Sequence, residues 1–279
     1  MLWLNLFGAL ACLFFVIALL FILAIMPKMK KHRWTDEIIK YRYAHRGLFC
    51  AEKAVPENSL KAFEKAIENG NGFEFDVHLT ADGKLVVIHD SSMKRTAGVD
   101  INVSKASYGE ISSYGLEGTH EKVPLFEDVL ELNGGRVPMI IELKPDNNAK
   151  ELVTKVVEVL KDYKGIYCVE SFAPDVVVAL KKTAPDIMRG QLACDIRRKN
   201  KKFSAFDNFI LKNLVTNFLT KPDFIAYCYE DREAFTFTLC RKLFKPTEVS
   251  WTLKDAETMK KAEDAGACVI FDSFVPEER

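Results

Sequence analysis

No excess of either charge marks this sequence: lysine and arginine together number 39, and so do aspartate and glutamate. That balance excludes the broad positive field by which a domain grips nucleic acid, and no nucleic-acid partner is expected. The seven cysteines are scattered without pairing-like spacing. An odd, unframed set excludes a disulfide scaffold and suits a reducing compartment. No CxxC, HExxH or similar spacing occurs, so there is no zinc site to read. A GxSxG elbow and a Walker-type phosphate loop are missing too, which removes serine-hydrolase and P-loop chemistry. Histidine is scarce, with five in the chain, so each position can be weighed singly.

What the sequence has in excess lies at its start. Residues 2 to 26, LWLNLFGALACLFFVIALLFILAIM, carry no charge and are long enough to cross a bilayer as a helix. Lys28, Lys30, Lys31, His32 and Arg33 follow at once. A cleaved signal peptide has the opposite order, and Ile25-Met26-Pro27 offers no small-residue cleavage site. The expectation is an uncleaved anchor over 1–27, a basic linker over 28–40 and one domain over 41–279. The positive-inside rule places that domain on the cytoplasmic face of the cell membrane, with a single pass.

Beyond the linker, strand-like runs alternate with helical periodicity. YRYAHR, GFEFDVHLT, VPMIIELK, IYCVESF, IMRGQLA, DFIAYCY, EVSWTL and ACVIFD read as strands. NSLKAFEKAIEN, AKELVTKVVEVLKDY and KDAETMKKAEDAG read as helices, the first capped by Asn58 or Ser59 and ended by Gly70. Eight strands with intervening helices predict an α/β fold, a (β/α)8 TIM barrel behind one N-terminal transmembrane helix. LVVIHD is a ninth run, reached through only TADGK, so it must return as a hairpin outside the barrel count. The stretch from about 91 to 135 fits no simple helix and reads as a small insertion after the second strand, lying over the barrel's top.

Several strands end on groups that a core would reject. Glu74 and Asp76 are two apart on the second strand, so both carboxylates share a face. VPMIIELK closes on Glu142 and Lys144 with the same spacing, at the end where barrel enzymes gather their chemistry. Three carboxylates from neighbouring strand ends suit a hard divalent cation, Mg²⁺ or Ca²⁺. YRYAHR ends on His45-Arg46 and LVVIHD on His89, which supplies two imidazoles for an acid–base pair at phosphorus. Arg46 and Lys144 can hold phosphate oxygens. His32, in the linker, His120, in the insertion, and His78 look less useful.

AHRG, PENS, EFDVHLTADG, VVIHD, RTAG, PLFED and IELK, in that order over residues 41 to 145, resemble the glycerophosphodiester phosphodiesterase family. VESF and SWTL extend the resemblance more loosely into the second half. The resemblance implies His45 and His89 as general acid and base, and Glu74, Asp76 and Glu142 as divalent-metal ligands. It further implies phosphate contacts at Arg46 and Lys144, a supporting pair at Glu57-Asn58, and Trp251 near the substrate. GACVIFDSF departs from the glycine-aspartate-rich last strand of the family, which leaves that strand's part in the pocket open.

The implied activity is metal-dependent hydrolysis of a glycerophosphodiester to glycerol 3-phosphate and an alcohol. An anchored site also meets lysophospholipids, so lysophospholipase D activity is the alternative reading. A phospholipase C-like or sphingomyelinase D-like enzyme, or an inactive membrane-bound scaffold on a disabled barrel, stands further off. Membrane lipid is an expected partner through the N-terminal helix. IRRKNKKFSAFDNFILKNL, residues 196 to 214, is basic and carries Phe203, Phe206 and Phe209, a composition that either rests on anionic lipid or forms a solvated loop and helix. Oligomeric state is not readable from the sequence.

Overall fold

The computed structural model describes residues 2–146, 148–199, 201 and 204–277. Its strands are β1 (Arg42–His45), β2 (Gly72–Leu79), β3 (Leu85–Val87), β4 (Met139–Leu143) and β5 (Tyr167–Ser171), then β6 (Arg189–Ala193), β7 (Phe224–Cys228), β8 (Thr247–Leu253) and β9 (Cys268–Phe271). They lie in the order β1-β9-β8-β7-β6-β5-β4-β2, and a parallel β1–β2 pairing closes the ring into the expected eight-stranded barrel. β3 stands outside it, antiparallel on β2 with Val77 opposite Val87, because the TADGK connection is too short for a crossover.

Both faces of each barrel strand are covered, which is why the strands read as runs rather than as alternations. The outward faces pack on helices. Phe63 of helix Leu60–Glu68 stacks on Phe73 of β2 at 4.8 Å between ring centroids, with Phe75 and Phe126 beside them. Truncating a buried phenylalanine of this kind costs about 3–5 kcal/mol. The helix starts where the Ser59 hydroxyl accepts the Ala62 N–H at 3.2 Å.

Inward residues at the amino-terminal ends of the strands are apolar: Tyr43, Ile140, Cys168, Phe224 and Cys268 cluster there with Ile38. Ile38 belongs to a helical turn, Thr35–Ile38, and its carbonyl accepts the Tyr43 hydroxyl at 2.9 Å. The last part of the expected linker is therefore packed as the barrel's floor. Gly190 makes room in this layer, since a Cβ there would lie 2.2 Å from the Phe224 ring.

The stretch after β3 forms short helical turns around its own apolar cluster, including Ile88, Met93, Val103, Ile111, Leu116 and Val123. Its last part differs from the sequence expectation. Phe126–Asn133 is an ordinary barrel helix, buried through Phe126, Val129 and Leu130. No polar side chain caps its start; instead the Asp128 carboxylate accepts the Leu125 N–H at 3.1 Å, so the usual polar signal before a helix is missing.

The N-terminal helix, Leu2–Ile25, is long and apolar enough to cross a membrane, and most of its side chains are exposed. Only its end is covered, by the outer face of β6 and β7 and the helices beside them. Ile25 is fully buried among Ala193, Leu214, Tyr227, Phe237 and Cys240, and its carbonyl accepts the Asn217 amide at 2.9 Å. Lys221 donates to the Met26 carbonyl, and Lys28 pairs with buried Asp223 at 2.6 Å.

Candidate active site

Parallel pairing sets Asp76 of β2 beside Glu142 of β4, and Glu142 beside Glu170 of β5. Strand alternation aims Glu74, Asp76 and Glu142 into the barrel interior above the apolar floor. Oxygens of these three buried side chains lie within 4.8 Å of one another. Like charges so close resist ionising together. Burial first, then the charges of Asp76, Glu142 and Glu170, raise the Glu74 carboxyl well above its ordinary value. Glu142 is pushed up to about 6, chiefly by burial, against the pull of Lys144. Asp76 goes the other way. Burial would raise it, but the charges of Lys144, His89 and Arg46 and the Asn58 amide hold it well below the usual carboxylate range. An oxygen-only donor set fits a hard divalent cation, and a cation among these groups would relieve the repulsion that raises two of them.

Two cations share this acidic patch. Lys144 Nζ lies 2.6 Å from Glu142 and 3.1 Å from Asp76. Burial works against its charge, but those two carboxylates hold its pKa above the ordinary lysine value. Arg46 donates its backbone N–H to Glu74 at 3.1 Å and its guanidinium to Glu57 at 2.9 Å, with Nε 3.6 Å from Asp76. To do this the chain turns sharply: Arg46 and Gly47 have φ of 58° and 78°. A Cβ at Gly47 would meet the Ala62 backbone at 2.8 Å, so the glycine of AHRG is required by both dihedral and space.

The histidines stand on either side. His45 Nδ1 lies 3.1 Å from Asp272 Oδ2, and His89 Nδ1 lies 2.6 Å from Asp90 Oδ1. A carboxylate only accepts, so in both rings Nδ1 carries the hydrogen and Nε2 is left for the cavity. Burial lowers the pKa of both rings, that of His89 to about 4, although Asp272 and Asp76 respectively pull the other way. His89 is therefore neutral at physiological pH, with its Nε2 open to a proton.

These groups line one cavity of about 550 Å³. It has two unlike halves. His45, Arg46, Glu74, His89, Glu142, Lys144 and Glu170 face it from β1, β2, β4, β5 and the loop after β3. The opposite wall is apolar and comes from the other side of the ring: Leu192, Cys194, Ile196, Leu211, Trp251 and Ile270. Trp251 packs edge-to-face on Phe172 at 5.5 Å, which completes that wall.

Of the ten residues singled out from sequence, His45, Arg46, Glu74, His89, Glu142, Lys144 and Trp251 line the cavity, while Asp76, Glu57 and Asn58 stand behind it, each bonded or paired to another of the ten. Glu57 stands behind the cavity rather than in it, clamped between Arg46 and Arg95, with Arg95 reaching on to Asp90. Asn58 does not cap the helix; it donates to Asp76 at 2.9 Å, and Ser59 caps alone. His78 proves less idle than expected. It shares a strand face with Glu74 and Asp76, and it bridges Asp146 and the His89 carbonyl, at 3.0 and 3.1 Å. Sequence reasoning missed Asp272, Asp90, Arg95 and Glu170. Glu170 is buried beside Glu142, with its carboxyl raised well above the ordinary value by burial and then by Glu142. Its signal was the acid of VESF, placed like the others near a strand end.

Comparison with known proteins gives the chain a family. The profile of the glycerophosphoryl diester phosphodiesterase family matches residues 45–275. The uncharacterized protein YqiK of Bacillus subtilis is 35% identical over 174 residues, 58% of this chain and 70% of that one. Lysophospholipase D GDPD1 of Rattus norvegicus is 33% identical over 157 residues, 52% of this chain, and the match spans about half, 48%, of the rat protein. An Oleispira antarctica phosphodiesterase, solved in complex with the product sn-glycerol-3-phosphate, superposes with a TM-score of 0.70 at 22% identity, over 86% of this chain and 96% of that one. That likeness carries the fold, and the family match carries the rest: from the first histidine of the site to the segment after β9, the chain belongs to the glycerophosphoryl diester phosphodiesterase family of phosphodiester-hydrolysing enzymes.

Proposed function

We propose that the protein hydrolyses glycerophosphodiesters to glycerol 3-phosphate and an alcohol, at the polar half of the cavity. The observation that carries this reading is the meeting of three buried acids, two cations and two carboxylate-bound histidines on one wall. Glu74, Asp76 and Glu142 would hold a divalent cation, Mg²⁺ or Ca²⁺, which when bound supplies Lewis-acid charge to the phosphoryl oxygens. Arg46 and Lys144 bind the remaining phosphate oxygens, and their positions are fixed in advance by Glu57 and by the acids themselves. One histidine takes the proton of the attacking oxygen at Nε2 as the new P–O bond forms. The other returns a proton to the departing alkoxide as the old P–O bond breaks. Asp272 and Asp90 keep both rings in the orientation that leaves Nε2 free.

The apolar half of the cavity favours a second substrate class for the same chemistry. A glycerol headgroup has no use for Leu192, Ile196, Leu211 and Trp251, whereas a single acyl chain does. Lysophospholipase D activity on membrane lysolipids is therefore the companion reading, and the rat relative bears that name. In this reading the N-terminal helix anchors the domain to the cell membrane, and the basic flank from Lys28 to Arg33 supports a cytoplasmic orientation of the catalytic barrel by the positive-inside rule. A panel of glycerophosphodiesters and lysolipids, run with and without chelator, tests both. Release of glycerol 3-phosphate that stops with chelator is expected; a diacylglycerol product, or turnover indifferent to chelator, refutes the reading.

A further inference from the structure

The segment between β6 and β7 is the place where the anchor, the cavity and an unexplained apolar surface come together. Helix Ala205–Lys212 has no fully buried residue. Its Leu211 lines the catalytic cavity. Phe206, Phe209 and Ile210 share another face through i, i+3, i+4 spacing, and Phe206 and Phe209 are 71% and 52% exposed. Two more exposed apolar groups lie on the neighbouring elements. Phe218 and Leu219 sit on the helical turn Asn217–Thr220, which packs against the end of the N-terminal helix. Phe235 opens helix Phe235–Phe244, whose Phe237 and Cys240 bury Ile25. Exposed Arg197 and Lys201 stand at the start of the same segment. Aromatic side chains clustered beside basic ones are the composition of a surface that lies in a lipid interface.

We infer that the Phe206–Phe209 face is a membrane-resting surface, the occupant being the bilayer that the N-terminal helix enters. The inference rests on the anchor reading of that helix. Continuity supports it: Ile25 is held by the Asn217 amide, and Asn217 heads the turn bearing Phe218 and Leu219, so the exposed aromatics are tied to the point where the helix leaves the barrel. The helix Ala205–Lys212 then separates lipid on one face from the apolar wall of the cavity on the other. A single-chain lipid can pass around it without crossing water, and its acyl chain meets Leu211, Ile196 and Leu192 while its phosphodiester reaches the polar half.

The test uses the full chain in nanodiscs of phosphatidylcholine doped with phosphatidylglycerol. A photoreactive benzoylphenylalanine is placed at Phe206 or Phe209, and at Glu68 as a control on the opposite side of the ring. Lipid adducts, read by mass spectrometry, are expected at the first two positions and not at the third. The double variant Phe206→Ser, Phe209→Ser should lose on the order of tenfold in turnover of bilayer-embedded lysophosphatidylcholine while keeping that of soluble glycerophosphocholine. Absence of adducts at 206 and 209, or lysolipid turnover equal to the parent's, overturns the inference. A chain that fails to enter nanodiscs overturns it as well. If neither parent nor variant hydrolyses any phosphodiester, the proposed activity fails, and the adducts still judge the surface.

Discussion

Asp272→Asn is the substitution that probes the site most sharply, because it removes one charge and almost no volume. Asp272 follows β9, and its carboxylate lies 3.1 Å from His45 Nδ1. The His45 ring is lowered from its ordinary pKa by burial first; Asp272 and Asp76 oppose that, and Arg46 adds to it. Removing the Asp272 charge therefore lowers the ring further. A hydrogen bond to a charged partner contributes about 1.5–3 kcal/mol to what it holds in place. If that difference is expressed in the transition state, where the ring carries a proton, kcat falls by roughly one to two decades at about 1.4 kcal/mol per decade. KM should stay near the parent's, since Asp272 is not among the groups lining the cavity. The assay is glycerol 3-phosphate release from glycerophosphocholine across a pH series. Whichever proton His45 moves, the limb of the pH–kcat profile that belongs to it shifts to lower pH. Asp272→Asn with kcat within twofold of the parent, or with an unmoved profile, would falsify the positioning argument.

Three further outcomes follow from the geometry. Added Mg²⁺ or Ca²⁺ should raise the Tm of the parent, by an amount equivalent to about 2.7 kcal/mol at a hundredfold excess over Kd, and should do so far less in Glu74→Gln or Glu142→Gln; equal shifts in all three refute the cation site. Glu57 is held below its ordinary carboxyl value: burial pushes it up, but the hydrogen bonds of Arg95 and the charge of Arg46 override that. Its stabilisation is full above the unfolded value near 4.5 and is lost as pH falls through the depressed folded value, so Glu57→Gln should cost about 3 kcal/mol at neutral pH and flatten the acid limb of Tm against pH. Parallel curves for parent and variant would sink that assignment. Gly47→Ala should lower stability in urea by about 1–3 kcal/mol, because the added methyl meets the Ala62 backbone; an unchanged midpoint would contradict the close approach.

Much of this architecture is legible in the sequence because barrel strands are covered on both faces and so announce themselves as apolar runs. Polar groups at their ends then stand out, and the two-residue spacing of Glu74 and Asp76 puts both acids on one face by strand parity alone. Asp272 is not legible, for a matching reason. Its partner His45 is 227 residues away, and the two meet only because β1 pairs with β9 when the ring closes. No local spacing encodes that closure. GACVIFDSF departs from the family pattern, which obscures Asp272, the residue of that stretch that holds His45. Glu170 escapes because a single acid on a strand has no second acid to mark its face. His78 is visible to a longer reading of the period: carried through to the end of β2, strand parity groups it with Glu74 and Asp76. The helix Phe126–Asn133 is hidden by its apolar start, where Asp128 supplies the cap from inside the helix.

The burial of Ile25 has a consequence in time. Asn217, which holds its carbonyl, is made 192 residues later, and Cys240 later still. At a ribosomal pace of about 5–20 residues per second, roughly 10 to 40 seconds pass before the docking place for the helix end exists. Through that interval Ile25 is without the residues that bury it. Helix and docking place are therefore joined only after β6, β7 and the helix that follows β7 have been made, so the end of the helix is among the last parts of the domain to be buried.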